Sequence, residues 1–420
     1  MNKTILFALL CSTPAWAAEN TYPDLPPLNQ VEAALESHLN VRLAERGILW
    51  EQGNQRRLES GPYEFNIRAG SAQRRIINNG QNLKEWDIAL ERPIRLFNKA
   101  SLDSRIGSES VNRARYALGD AQHEAARQLL KLWFVWQREE TQNQLWQKQT
   151  ELLNQLTQLT EKRVNAGDAP KLELNQARAI AAQAIVSQQQ AALRSKLAAG
   201  ELIKQFPSLT IPQQTTLIAP QPINHDLPYW RAHALEHNHE LGMIQAESRV
   251  QSLHAQRART DRLPDPTLGI RHSNEMGGNE RVTGLYLTVP FPGSARSALA
   301  DSAEQQSGIA TERAEFVKRR LEDDIRATHL QASVSYDIWQ QAHAAGENMR
   351  QNAELATRAY GLGENSLGDT LTARRLALES TLAENLAQLD ANEARYRLLL
   401  DAHELWPIDA HDESESHEHY

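Results

Sequence analysis

Between Lys99 and about Asn165 the sequence contains no proline, and the stretch predicts one continuous helix. At ~1.5 Å per residue such a helix runs to roughly 100 Å. No ordinary globular core is that wide, so the chain must build something elongated. Leu145, Leu152, Leu156 and Leu159 fall at coiled-coil spacing along it. Abundant Ala, Leu, Gln, Glu and Arg agree with long helices rather than compact mixed domains.

The run stops at "RVNAGDAPKLELNQARA", where Gly167 and Pro170 interrupt it. A return helix is expected from about Lys171 to Phe206, with the small seam Ala177, Ala181, Ala184 and Ala191. The same sentence is written again as "AYGLGENSLGDTLTARR" from Ala359 to Arg375. Gly363 lies 196 positions after Gly167, Ala373 lies 196 after Ala177, and Pro290 lies 197 after Pro93. The sequence therefore reads as an internal duplication. Gly167 and Gly363 are expected to supply the left-handed turn that ends a helix.

Each repeat places a shorter helix and a β-hairpin ahead of its long helix. In the first, one helix is expected from Leu28 to about Ser60, with Ala33, Leu35, Leu39 and Leu43 on one face. Tyr63, Phe65, Ile67 and Ala69 then alternate with polar residues, as do Trp86, Ile88 and Leu90, around the turn "NNGQN". In the second, one helix is expected from Tyr229 to Asp261. A hairpin through Leu268, Ile270, Leu285, Leu287 and Val289 follows, turning at "NEMGGNE". The long helix then runs from about Ser297 to Tyr360 and its partner to about Leu405, with Leu371, Leu378, Leu382 and Leu389 along the latter.

The domain plan is a leader over 1–17 and a first repeat over 18–206, with its β-hairpin about 63–92 and helical hairpin about 99–206. A Pro-rich connector covers 207–228. The second repeat covers 229–405, with its β-hairpin about 266–290 and helical hairpin about 297–405; a His- and acid-rich tail fills 406–420. The leader has Lys3, an apolar stretch from Ile5 to Leu10 and the cleavage signal Ala15-Trp16-Ala17, the layout of a secretory signal peptide. Cys11 invites a lipoprotein reading, but Leu10 before it is too large for the usual attachment signal. Cleavage removes Cys11, the one cysteine of the chain, so disulfides play no part in the mature protein.

No internal segment reaches ~18 consecutive apolar residues, so no transmembrane helix is expected. Four amphipathic strands cannot close a barrel, since transmembrane barrels begin at about eight. An open sheet edge in lipid leaves backbone groups unpaired at several kcal/mol each. Either the hairpins stay out of a membrane, or several chains pool them. The net charge of −8 and the lack of any Lys/Arg block exclude a nucleic-acid partner.

The duplicated plan and the two breaks resemble the TolC-type outer-membrane efflux proteins (outer membrane factor family) over nearly the whole mature sequence. The resemblance implies a mainly α fold with a small β part. Its TolC-like protomer is a duplicated helix–β-hairpin–long helix–helix, and its homotrimer pools a 12-stranded β-barrel in outer-membrane lipid, continued by a periplasmic α-helical barrel. It implies a periplasmic adaptor protein and an inner-membrane RND pump as partners, and passive conduction. By position, Tyr360 matches the family's aromatic hydrogen-bonding residue at the tunnel gate and Asp369 its acidic ring. Thr372 stands where a second acid is common, and Asn365 where some members carry a basic residue. Three copies of Asp369 near an axis would favour cations. Glu173, the first-repeat equivalent of Asp369, is expected at the outer side of the tip. Gly167, Asp168, Pro170, Glu173, Gly363 and Glu364 would form adaptor-docking tips.

Histidines bear on the cargo. His233 and His237, at i, i+4 in "HALEHNHE", would share a helix face and offer two metal nitrogens. The tail adds His411, His417 and His419 among carboxylates. The comparatively short chain is most similar to the cobalt-zinc-cadmium and copper-silver resistance branch, which implies heavy-metal efflux ahead of multidrug or type I protein export. A non-channel periplasmic coiled-coil scaffold is the reading from another class. No phosphate loop, nucleophile elbow or closed ligand set is present, so neither an enzyme nor a cofactor is expected.

Overall fold

The computed structural model describes residues 22–406. The leader with Cys11, and the tail with His411, His417 and His419, lie outside the described residues. Twelve principal elements follow one another, and their second half repeats the first. The helices α1 (Leu28–Ser37) and α2 (Leu39–Ser60) precede the strands β1 (Asn66–Arg75) and β2 (Asn82–Pro93). Next come the 68-residue α3 (Lys99–Ala166) and the 35-residue α4 (Lys171–Gln205). The repeat supplies α5 (Leu227–Glu236), α6 (His239–Thr260), β3 (Thr267–Glu275) and β4 (Glu280–Thr288). It ends with the 69-residue α7 (Ser294–Leu362) and the 35-residue α8 (Leu367–Asp401). At ~1.5 Å per residue α3 and α7 are each about 100 Å long. Among the described residues no helix is long and apolar enough to cross a membrane.

The expected helices at Leu28–Ser60 and Tyr229–Asp261 are each two. The first breaks at His38, which takes an extended conformation and stacks its ring on Phe206, 5.3 Å between centroids. The second breaks at His237 and Asn238, where the Asn238 side chain accepts from the Leu241 amide as an N-cap. The kink also changes the face that is buried. Leu35 is in the core, but Leu39 and Leu43 join Trp50 on an exposed stripe.

The strands form one antiparallel sheet in the order β1-β2-β3-β4, leaving β1 and β4 as open edges. Register places Ile67 beside Leu90, Leu90 beside Ile270, and Ile270 beside Leu285. One face is therefore apolar, and it is open: Ile67 is 73% exposed and Leu285 78%. The other face carries charge in a ladder. Arg74 reaches Glu85 at 2.7 Å and Glu275 at 3.7 Å, and Arg271 reaches Asp87 at 3.5 Å. The period-two pattern thus gives the sheet one apolar and one ion-paired face.

The helices continue the same one-layer plan. Toward the tips, α4 packs on α3, α3 on α8 and α8 on α7; nearer the sheet the order is α2, α3, α6, α7. Small residues make the α4 contact close: Ala177, Ala181, Ala184 and Ala191 are all buried. Both outer borders still expose apolar stripes. Leu172, Val186, Leu193 and Leu197 line α4, and Leu299, Ile309, Phe316 and Leu330 line α7. The main core lies midway, where Trp133, Phe134 and Trp136 meet Phe206, Leu389 and Tyr396. There the arm before α1 is pinned by Asp24, whose carbonyl accepts from Trp133 Nε1 at 2.8 Å and whose carboxylate accepts from the Tyr396 hydroxyl at 2.7 Å.

Candidate functional site

Both tips end a long helix in the same way. Gly167 has φ 83° and Gly363 φ 81°, the left-handed region where a side chain is costly. The Gly167 amide donates to Val164 O and that of Asp168 to Arg163 O; the Gly363 amide donates to Tyr360 O and that of Glu364 to Ala359 O. These paired bonds satisfy carbonyls that the ending helix orphans. Asp168 and Glu364 project their side chains into solvent at the extreme end.

The next helices begin differently. Pro170 is the N-cap of α4 and offers no side-chain acceptor, whereas Ser366 caps α8 by accepting from the Asp369 amide at 3.0 Å. Ser366 Oγ also donates to the Asp369 carboxylate at 2.7 Å. Asp369 is exposed, and its charge suits a helix N-terminus. Glu173 holds the matching position in α4, three residues after its cap. It is half-buried and turned toward the second tip. Its carboxylate accepts from the Tyr360 hydroxyl at 3.1 Å.

At the tips, Tyr360 joins the second repeat to the first. It is only 1% exposed, in a cluster with Leu156, Ala177, Ala181, Leu367 and Leu371. Its hydroxyl lies 3.1 Å from Thr160 Oγ1, and the Arg163 guanidinium sits 4.5 Å over its ring while donating to its carbonyl at 2.9 Å. Burial pushes the phenol above its ordinary pKa; Thr160 opposes that and Glu173 adds to it. Asn365 turns inward, its amide donating to Thr370 Oγ1 at 3.2 Å, and Thr370 is fully buried against α7. Thr372 is exposed one turn beyond Asp369. It borders a groove of about 360 Å³ between α3, α4 and α8 that Trp146, Ile180, Leu371 and Arg375 also line. Thr160, Arg163 and Thr370 were not singled out from sequence. The spacing Ser366-x-x-Asp369 was a readable capping signal.

The histidines regroup. His233 and His237 do not share a helix, because α5 ends at Glu236 and His237 is its C-cap. His233 instead stacks on Tyr229 at 4.0 Å, with Nδ1 3.0 Å from that residue's carbonyl. The chain brings together His123, His239 and His403, one ring nitrogen of each within 4.8 Å of the others.

The assembled geometry is a single layer: four strands, then four helices abreast, with two turned ends. The sequence matches no protein-family model and no curated relative. Solved structures do match. The Campylobacter jejuni CmeC outer membrane channel is similar with a TM-score of 0.71 at 15% identity, over 97% of this chain and 94% of that one. CusC, described for its folding and transmembrane channel formation, gives 0.74 at 14% over 90% and 91%. The outer membrane protein VceC of Vibrio cholerae gives 0.72 at 14% over 90% and 99%. The protomer has the TolC-type fold. At such identity the likeness rests on backbone geometry alone.

Proposed function

We propose that this protein is the outer-membrane channel-tunnel of a tripartite efflux system. A homotrimer would pool twelve strands into a barrel and continue into a periplasmic helical tunnel. The tips would dock a periplasmic adaptor that links the trimer to an inner-membrane RND pump. The observation that carries this reading is the pair of open borders. β1, α2 and α4 end the layer on one side and β4 and α7 on the other, and each helical border keeps an exposed apolar stripe. A head-to-tail contact between unlike borders closes into a ring when the rotation allows. The apolar sheet face then meets lipid, and the ion-paired face lines the lumen. The described fold of CmeC, CusC and VceC, all named as outer-membrane or channel proteins, supports the same reading.

Substrate would pass without chemistry. Asp369, exposed at the start of α8, would form the acidic ring at the periplasmic entrance, with Thr372 one turn above it. Tyr360 and Asn365 would hold the second tip in place, and heavy-metal cations would be the cargo such a ring favours. Replacing Ile88 or Leu287 with Arg tests the channel. A charge on the lipid face costs about 2–4 kcal/mol at the bilayer midplane, multiplied by three copies in a trimer. Outer-membrane trimers should vanish from fractionated envelopes, whereas a periplasmic scaffold would tolerate the change. Deleting the gene and screening a panel of metals and drugs tests the cargo: sensitivity to Zn²⁺, Co²⁺, Cd²⁺, Cu⁺ or Ag⁺ is expected, and sensitivity to drugs alone would overturn the metal assignment.

A further inference from the structure

His123 lies in the first half of α3, His239 opens α6, and His403 follows α8. Three elements from both repeats thus deliver imidazoles to one point. His123 Nε2 and His403 Nδ1 are 3.2 Å apart. Two nitrogens bound tetrahedrally to one zinc ion at ~2.0–2.1 Å are separated by about 3.3 Å, so this pair already has ligand spacing. The third nitrogen is within 4.8 Å of both, the reach of a small ring rotation.

Two local features are built around the rings. Gly119, one turn before His123, leaves room for His239: a Cβ there would fall 2.5 Å from His239 Nδ1. His403 occupies the left-handed position that ends α8, with φ 61°. Its amide donates to Leu400 O, and that of Glu404 to Leu399 O, the same paired closure that uses glycine at both tips. A glycine would fit that turn without strain, yet the chain spends a histidine there, and the turn aims its ring at His123. Near His239 stands the Asp120 carboxylate, close enough to interact electrostatically.

We propose that His123, His239 and His403 bind one divalent transition-metal ion, with Zn²⁺ the best fit to three imidazoles and an open fourth position. The ion is a resident clip, tying the end of α8 to α3 and α6 where the two repeats meet, and does not depend on what the channel conducts. His123 is buried and the other two are half-buried, so the site is reachable by solution metal yet shielded.

The test uses the full-length, chelator-stripped protein carrying His411→Ala, His417→Ala and His419→Ala, so that the tail contributes nothing. Titration with Zn²⁺, followed by calorimetry, and with Co²⁺, followed by its visible absorption, should give one ion per protomer and a raised melting temperature. His403→Ala and His123→Ala should each lower affinity by at least about tenfold, while His233→Ala leaves it unchanged. His239→Gln alters a half-buried ring and provides the test should the buried His123→Ala fail to fold. Absence of binding at micromolar metal, or stoichiometric binding undiminished in His239→Gln and His403→Ala, would overturn the proposal.

Discussion

The two tips share a turn and differ in their caps. Pro170 opens α4 without a side-chain acceptor, so Glu173 is released to reach across and take the Tyr360 hydroxyl. Ser366 opens α8 and engages Asp369 locally, which keeps that carboxylate at the exposed end of the helix. The equivalents of Asn365 and Thr370 in the first repeat are Ala169 and Leu174, so the polar lock of the second tip has an apolar counterpart in the first. Duplication supplied two similar ends. One cap residue separates an acid that bonds across the repeats from one that stays exposed at its own helix end.

The largest expected effect comes from Tyr360→Ala. Removing a fully buried aromatic side chain costs about 3–5 kcal/mol. Trimming Val164, its half-buried counterpart in the first tip, should cost about 1 kcal/mol or less. Hydrogen exchange at the ends of α3 and α7 should quicken far more in the first variant. Equal loosening by both would erase the asymmetry.

A double-mutant cycle isolates the cross-repeat bond. Tyr360→Phe leaves Glu173 and Thr160 without a partner hydroxyl, at about 1–2 kcal/mol. Combined with Glu173→Gln, the pair should couple by roughly 0.5–1.5 kcal/mol, measured as unfolding free energy of the tip by native-state exchange. Tyr360→Phe with Asp369→Asn should be additive. Coupling to Asp369 instead of Glu173 would reverse the assignment of the two acids.

The smallest effect is a pH slope. The Tyr360 phenol is raised in the folded state, chiefly by burial, so the folded state binds its proton more tightly than the unfolded chain does. Its contribution is fully present below the ordinary phenol value of about 10 and is lost as pH rises through the raised one. Tip protection should therefore fall above about pH 10 in the native protein, and Tyr360→Phe should flatten part of that fall. An unchanged slope in the variant would place the sensitivity elsewhere.

Much of this was legible in the sequence because it is local and periodic. The strands announced themselves by alternation, the long helices by the absence of proline, and the tips by Gly167 and Gly363 at a fixed offset. The breaks at His38 and His237 were not legible as such. His38 bends the chain to stack on Phe206, a contact made 168 positions away. Asn238 did carry a local cap signal, but the surrounding helical pattern masked it. The roles of Glu173 and of the three clustered histidines depend on which elements neighbour one another, and no local pattern encodes that. His123 and His403 are 280 positions apart.

Single-channel recording of the purified protein in planar bilayers tests the central claim most directly, comparing the native chain with Asp369→Asn and Glu173→Gln. The account predicts a cation-selective pore whose selectivity drops clearly with Asp369→Asn and changes little with Glu173→Gln. A protein that forms no pore, or one whose selectivity ignores Asp369, would contradict it.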